Sequence, residues 1–194
     1  MRTLARLVLR PFVTFPTSAR ATKLRGRIYR LAMRETVGPS CRFGRHVEFQ
    51  NPEQIELGRG VILHNNVMII ARPREGDRVP RITVGDKTFM NVGSIVAAGH
   101  RIDIGRDVMF GPNVCVVDQD HEFGAQGTAV ARQGMKDRGP IEIGDGCWIA
   151  TGAVILGGTR LPAGCVVAAN AVVRGQYDER VVLAGAPAKV VKTL

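Results

Sequence analysis

The sequence predicts an all-β solenoid, a parallel β-helix of six-residue repeats behind a short helical N-terminal segment. Three observations carry that prediction. First, residues 57–68, 84–101, 104–121 and 143–172 divide into thirteen sixes. Their first residues are all apolar: Leu57, Leu63, Val84, Met90, Val96, Ile104, Phe110, Val116, Ile143, Ile149, Ile155, Leu161 and Val167. Second, eleven of the thirteen fourth positions are Gly, Asn or Asp, with Lys87 and Gln119 the exceptions. Those three residue types tolerate a positive φ, so a tight corner recurs with the apolar residue. Fifth positions are small or β-branched, apart from His100 and Asp120. Third, the chain is rich in glycine (23 residues) and poor in aromatics (5%), as suits a repeated aliphatic column. One inward aliphatic per six residues, followed by a corner, makes short strands. Three strands close a triangular coil, and coils stack through parallel ladders about 4.8 Å apart. One coil cannot bury its own face, so stacking stabilises the whole.

Each segment follows in order. Residues 1–36 read as a basic helical segment. MRTLARLVLRPFVTF alternates basic and apolar residues until Pro11 and Pro16 stop a helix. Arg2, Arg6 and Arg10, four apart, share one helical face. Residues 18–36 read as a second basic helix. Two compatible uses stay open: a cap over the open end of the solenoid, or contact with a membrane surface or phosphate-bearing acceptor. Residues 37–56 keep the period weakly through Val37, Phe43, Phe49 and Ile55 and form the first coil. The repeat domain runs over residues 37–194. Loops at 71–81 and 122–140 interrupt it, and long loops in a rigid repeat usually carry function.

The chain has 194 residues and a formal charge of +10. Residues 1–36 hold nine basic residues and one acid, which leaves 18 basic and 16 acidic for the remainder. The near-balanced body therefore gives no reason to expect nucleic acid as a partner. No apolar run reaches the roughly 18 residues of a membrane span. Cys41, Cys115, Cys147 and Cys165 show no C-x-x-C pattern and no zinc spacing. They read as small buried side chains in a reducing cytoplasm.

The runs PNVCVVDQDHEF (112–123), PIEIGDGCWIATGAVIL (140–156) and AGAPAKVVK (184–192) resemble the hexapeptide-repeat acyltransferases that use acetyl-CoA. The resemblance covers about residues 57–194. Galactoside and maltose O-acetyltransferases carry a similar P-N-V run with a histidine eight residues after its Asn, as Asn113 and His121 stand here. They also carry P-I-x-I-G-D-x-x-W-I, matched by Pro140 to Ile149. Residues 1–56 do not match the small-sugar enzymes. In this the chain looks closer to acyltransferases of capsule, exopolysaccharide and lipopolysaccharide assembly. The resemblance implies a left-handed coil, a homotrimer with sites between subunits, acetyl-CoA as co-substrate, no metal, and a saccharide hydroxyl as acceptor. It implies a cytoplasmic enzyme, peripheral on the inner face of the membrane if residues 1–36 bind there.

Acyl transfer from a thioester to an alcohol needs a base, oxyanion donors and a held acceptor. His121 is the candidate base, with Asp118, Asp120 and Glu122 as neighbouring carboxylates to orient it. The resemblance assigns Asn91 to the acceptor hydroxyl, and Asp120 joins it on the acceptor side. It puts CoA against Ala150, Thr151, Ala169, Arg174, Gly175, Lys189 and Lys192, the lysines meeting phosphate as point charges. Oxyanion donors are expected among backbone N–H groups of residues 111–113 or 150–151. Trp148 reads as structural packing near the site. His46, His64 and His100 read as turn or surface residues. Their spacing does not suit the zinc carbonic anhydrase that shares this type of solenoid. N-acylation of an amino-sugar and a non-catalytic scaffold are the rival functions.

Overall fold

The computed structural model describes residues 18–33, 36–72 and 81–194. The amphipathic start at residues 1–17 and most of the 71–81 loop lie outside the described residues. The body is a triangular parallel solenoid of three sheets with eight, six and five strands, plus a two-stranded arm. Successive coils pair in register, for example Phe89, Met109 and Trp148 along the eight-stranded sheet. Ile95, Cys115 and Val154 align in the same way along the six-stranded sheet.

Every apolar residue heading a hexad is buried, from Leu57 at 4% exposure to Phe110 and Ile149 at 0%. These side chains form one continuous core column. Fourth-position residues adopt the left-handed backbone, among them Asn66, Lys87, Asp107, Asn113 and Asn170. Lys87 does so at φ 57 although it is none of the three favoured types, because the stacked corner imposes the conformation. Gly99 and Gln119 are the two fourth positions that do not adopt it. Gly99 serves another purpose: a Cβ there would lie 2.0 Å from Gln119 Oε1. Both belong to the corner where the arm leaves.

The outer faces differ. The five-stranded sheet presents Glu56, Thr83, Asp103, Glu142 and Arg160 in register. Its polar groups pair with each other, as in Thr83 Oγ1 to Asp103 Oδ1 at 2.5 Å. The six-stranded sheet presents Met68, Ile95, Cys115, Val154 and Val172. The eight-stranded sheet presents Ile62, Phe89, Met109, Trp148, Val166 and Val182. Trp148 is 47% exposed there, so it does not pack within its own chain as the sequence suggests.

Helix α1 (Ala19–Ala32) lies against the first coil. Ser18 caps it, its hydroxyl accepting from Ala21 N–H at 3.3 Å. Arg25 Nε donates to Phe43 O at 2.8 Å and Tyr29 O–H to Val47 O at 3.0 Å. Tyr29, Phe43 and Phe49 pack edge to face. The helix therefore covers the open end of the column. Residues 122–140, expected as a plain loop, instead contain a strand. Strand β1 (Gln119–His121) and strand β2 (Met135–Asp137) pair antiparallel as the arm.

Candidate active site

Apart from Lys189 and Lys192, the predicted site residues fall on two corners of the triangle, one on either side of the six-stranded sheet. The turns entering that sheet form the leading corner: residues 91–94, 111–114, 150–153 and 168–171. The turns leaving it form the trailing corner, which carries the arm. Asn91, Ala150, Thr151 and Ala169 stand on the leading corner. Asp120, His121, Arg174 and Gly175 stand on the trailing corner. Between them runs a strand of about three residues, roughly 10 Å of apolar face. The structure thus does not bring Asn91 to His121 within one chain.

The leading corner is a stack of backbone turns. Asn91 is half-buried, and its Oδ1 accepts from Val92 N–H at 2.8 Å. Gly111 N–H donates to Ile149 O at 2.8 Å, Asn113 N–H to Val92 O at 2.9 Å and Ala150 N–H to Val167 O at 2.9 Å. Pro112 has no N–H. Among the described residues the Thr151 N–H has no acceptor, and Thr151 is exposed. Of the expected oxyanion donors, this one is left free to bind a ligand.

The trailing corner is organised by a buried carboxylate. Asp118 is fully buried and accepts from Gly99 N–H at 2.7 Å, His100 N–H at 2.9 Å and Arg101 N–H at 2.8 Å. Desolvation pushes its carboxyl above the ordinary aspartate range, against these three donors, which favour the ionised form. Two residues on, Asp120 accepts from Arg138 Nε at 2.8 Å and meets Arg174 at 3.7 Å. His100 Nδ1 lies 3.3 Å from Asp137, on the strand facing Gln119. Glu122 lies 3.6 Å from Lys136 Nζ. At the arm's tip, the Gln133 amide closes the turn by bonding Ala125 and Thr128.

His121 ends β1, opposite Met135, and is exposed. Each carboxylate expected to orient it is engaged elsewhere: Asp118 with backbone, Asp120 with arginines, Glu122 with Lys136. Within one chain the imidazole has no hydrogen-bond partner among the described residues, so it faces outward from a braced arm. Arg138, which the sequence did not single out, is the brace that joins β2 to Asp120. Nothing in its spacing marks it, because the antiparallel pairing alone brings residue 138 to residue 120. Exposed Phe123 and Met135, at 69% and 42%, flank His121 with apolar surface.

Arg174 reaches the Asp120 carboxylate, and Gly175 lies beside it. Lys189 and Lys192 are exposed on strand β4 (Ala188–Thr193), which pairs antiparallel with strand β3 (Val181–Gly185). Free N–H, arginine and exposed lysines are the donor types a pantetheine amide and phosphates need.

Comparison with known proteins gives this geometry a context. Residues 140–175 match the bacterial transferase hexapeptide model of six repeats. The chain is 33% identical over 152 residues to Rv3034c of Mycobacterium tuberculosis, named for acetyltransferase activity; the match covers 77% of this chain and 48% of the relative. It is 30% identical over 117 residues to WbbJ of Escherichia coli, named for O-acetyl transfer in lipopolysaccharide biosynthesis, covering 57% and 60%. The chain thus spans about half to three-fifths of these relatives' length. Among solved structures, a maltose O-acetyltransferase of Clostridium difficile aligns with TM-score 0.66 at 21% identity, covering 100% of this chain and 86% of that one. AntD, an N-acyltransferase of Bacillus cereus in complex with dTDP and coenzyme A, aligns with TM-score 0.68 at 15% identity, covering 80% and 82%. At these identities the structural likeness is one of fold, the left-handed parallel β-helix.

Proposed function

Starting from a left-handed β-helix that carries the bacterial transferase hexapeptide and has acetyltransferase relatives, we propose an acetyl-CoA-dependent O-acetyltransferase acting on a saccharide hydroxyl. The observation that carries this reading is the division of the candidate residues between two corners, with His121 braced outward on one and the free Thr151 N–H on the other. In a homotrimer, the trailing corner of one subunit meets the leading corner of the next, and the second copy covers the apolar sheet between them. The polar outer face of the five-stranded sheet stays in water, which suits this arrangement.

At such a junction His121 takes the proton of the acceptor hydroxyl. The oxygen then bonds to the thioester carbonyl carbon, and the Thr151 N–H stabilises the charge that develops on the carbonyl oxygen. The carbon–sulfur bond breaks and His121 returns the proton to the departing thiolate. Asn91 holds the acceptor, and Asp120 holds Arg174 and Arg138 in place. Arg174, Lys189 and Lys192 supply cations for the CoA phosphates. The likeness to a lipopolysaccharide O-acetyl transferase by name supports a surface-glycan acceptor. All four cysteines are free, which suits a reducing cytoplasm.

The test is thiol release from acetyl-CoA across free, nucleotide-linked and lipid-linked sugars, with amino-sugars included. Release with a hydroxyl acceptor supports the reading; release with amines alone makes the protein an N-acyltransferase. A scaffold shows no release and no CoA-dependent rise in Tm. Asn91→Ala and His121→Ala homotrimers should each be inactive. Co-assembled at random they should regain roughly a quarter of wild-type activity, because each mixed trimer keeps one intact junction. No recovery on mixing overturns the shared site.

A further inference from the structure

We propose that the outer face of helix α1 is a docking surface for an anionic lipid bilayer. The helix is clamped in one rotational setting. Arg25, Tyr29 and the close approach of Gly26, where a Cβ would lie 2.0 Å from Cys41 O, turn one side into the first coil. What remains outward is therefore fixed by the fold. Arg20, Leu24, Arg27 and Leu31, spaced four, three and four apart, fall on that outward side. Lys23 and Arg30 flank them along one margin. All six are exposed, Leu24 at 47% and Leu31 at 77%.

One exposed leucine is ordinary. Two on one face, set among four cations, in a helix without a single acid, have the composition of a helix that lies in a lipid interface. No ion pair joins these four cations to another described residue. The adjoining first coil adds exposed Arg42 and Arg45, and Glu48, Glu53 and Glu56 as the opposing charges. Four outward cations, on a helix with no acid, complement the charge of anionic headgroups, and the leucines supply the apolar insertion that a purely electrostatic contact lacks. The helix covers the first coil, so its outer face points away from the stacked coils and meets a surface without obstructing the corners. The helices crossing a bilayer differ from this one: among the described residues none is long and apolar enough.

The experiment is co-sedimentation of the full-length chain with phosphatidylcholine vesicles, with and without phosphatidylglycerol. Residues 1–17 are kept in every variant, so their contribution cancels. Wild type is expected to sediment with the anionic vesicles alone. Arg20→Gln with Arg27→Gln should weaken that partition about 30-fold, at roughly fivefold per charge. Leu24→Ser with Leu31→Ser should weaken it about tenfold while leaving retention on poly-glutamate unchanged. Both pairs should keep the wild-type Tm and the wild-type thiol release with a soluble acceptor, which separates this proposal from the catalytic one. Equal partition onto neutral and anionic vesicles overturns it, as does indifference to either pair. Retention on poly-glutamate with none on vesicles also overturns it and assigns the face to an acidic polypeptide.

Discussion

The leading and trailing corners border the same sheet and begin from the same six-residue pattern, yet they are built differently. The leading corner repeats: a fourth residue with positive φ, a small fifth residue, and ladder bonds such as Gly111 N–H to Ile149 O at 2.8 Å. The trailing corner departs at Gly99, His100, Gln119 and Asp120, each of which breaks the conformation or residue type of its position. Its order comes instead from one buried carboxylate and two arginine contacts. A repeat supplies rigidity at low cost, and a break in it is where a side chain can be aimed outward.

That contrast can be broken from the column outward. Ile149→Ala opens a cavity in the stacked column and should lower unfolding stability by about 4 kcal/mol, read from urea titration. A loss below about 1 kcal/mol would mean that the column tolerates gaps and that repetition is not its source of rigidity. Asp118→Ala removes the acceptor of the Gly99, His100 and Arg101 N–H groups, the first of them buried, and should cost about 3 kcal/mol. Asp118 also makes stability depend on pH. Its native carboxyl titrates above its unfolded value, so between the two values the native state binds more protons than the unfolded one. Stability therefore declines as pH rises through the range just above ordinary aspartate values, and Asp118→Asn should abolish that slope. A slope that survives the substitution would locate it elsewhere.

Smaller effects sharpen the comparison. His121→Ala should cut turnover about 100-fold, near 2.7 kcal/mol, with Tm unchanged because the side chain is exposed. Loss of Tm in parallel would make the histidine part of the arm's structure. Gly99→Ala sets a Cβ against the Gln119 amide and should cost about 1 kcal/mol, whereas Gly99→Ala with Gln119→Ala should return to wild-type stability. At the third corner, between the five- and eight-stranded sheets, the corresponding constraint is backbone strain, so no partner substitution should rescue Gly146→Ala, whose φ is 65 with nothing near the added Cβ. The least change belongs to Cys147. Burial pushes its thiol up to about 11, so iodoacetamide at neutral pH should leave it unmodified in the native chain.

Most of the solenoid is legible in the sequence because its rule is local. Each buried hexad residue and each corner lies within six residues of its own signal, from Leu57 to Asn170. The signal that singles out His121, eight residues after Asn113, is local in the same way. The antiparallel arm was not legible, because β1 and β2 are separated by residues with no alternation to predict pairing. Trp148 misled for a related reason. A lone tryptophan suggests burial, but its place beside inward-facing Ile149 turns it to the outer face.

The sequence alone determined the period, the inward column, the turn residues and the residue types that the chemistry requires, because these depend on spacing along the chain. Tertiary structure decided which of those residues share a corner. The antiparallel arm brought Arg138 to Asp120 and Lys136 to Glu122, and stacking put Arg174 against Asp120 and the 99–101 backbone against Asp118. Those are relations across the arm and across coils. They depend on where one segment of the chain lies against another, a distance that no local spacing encodes.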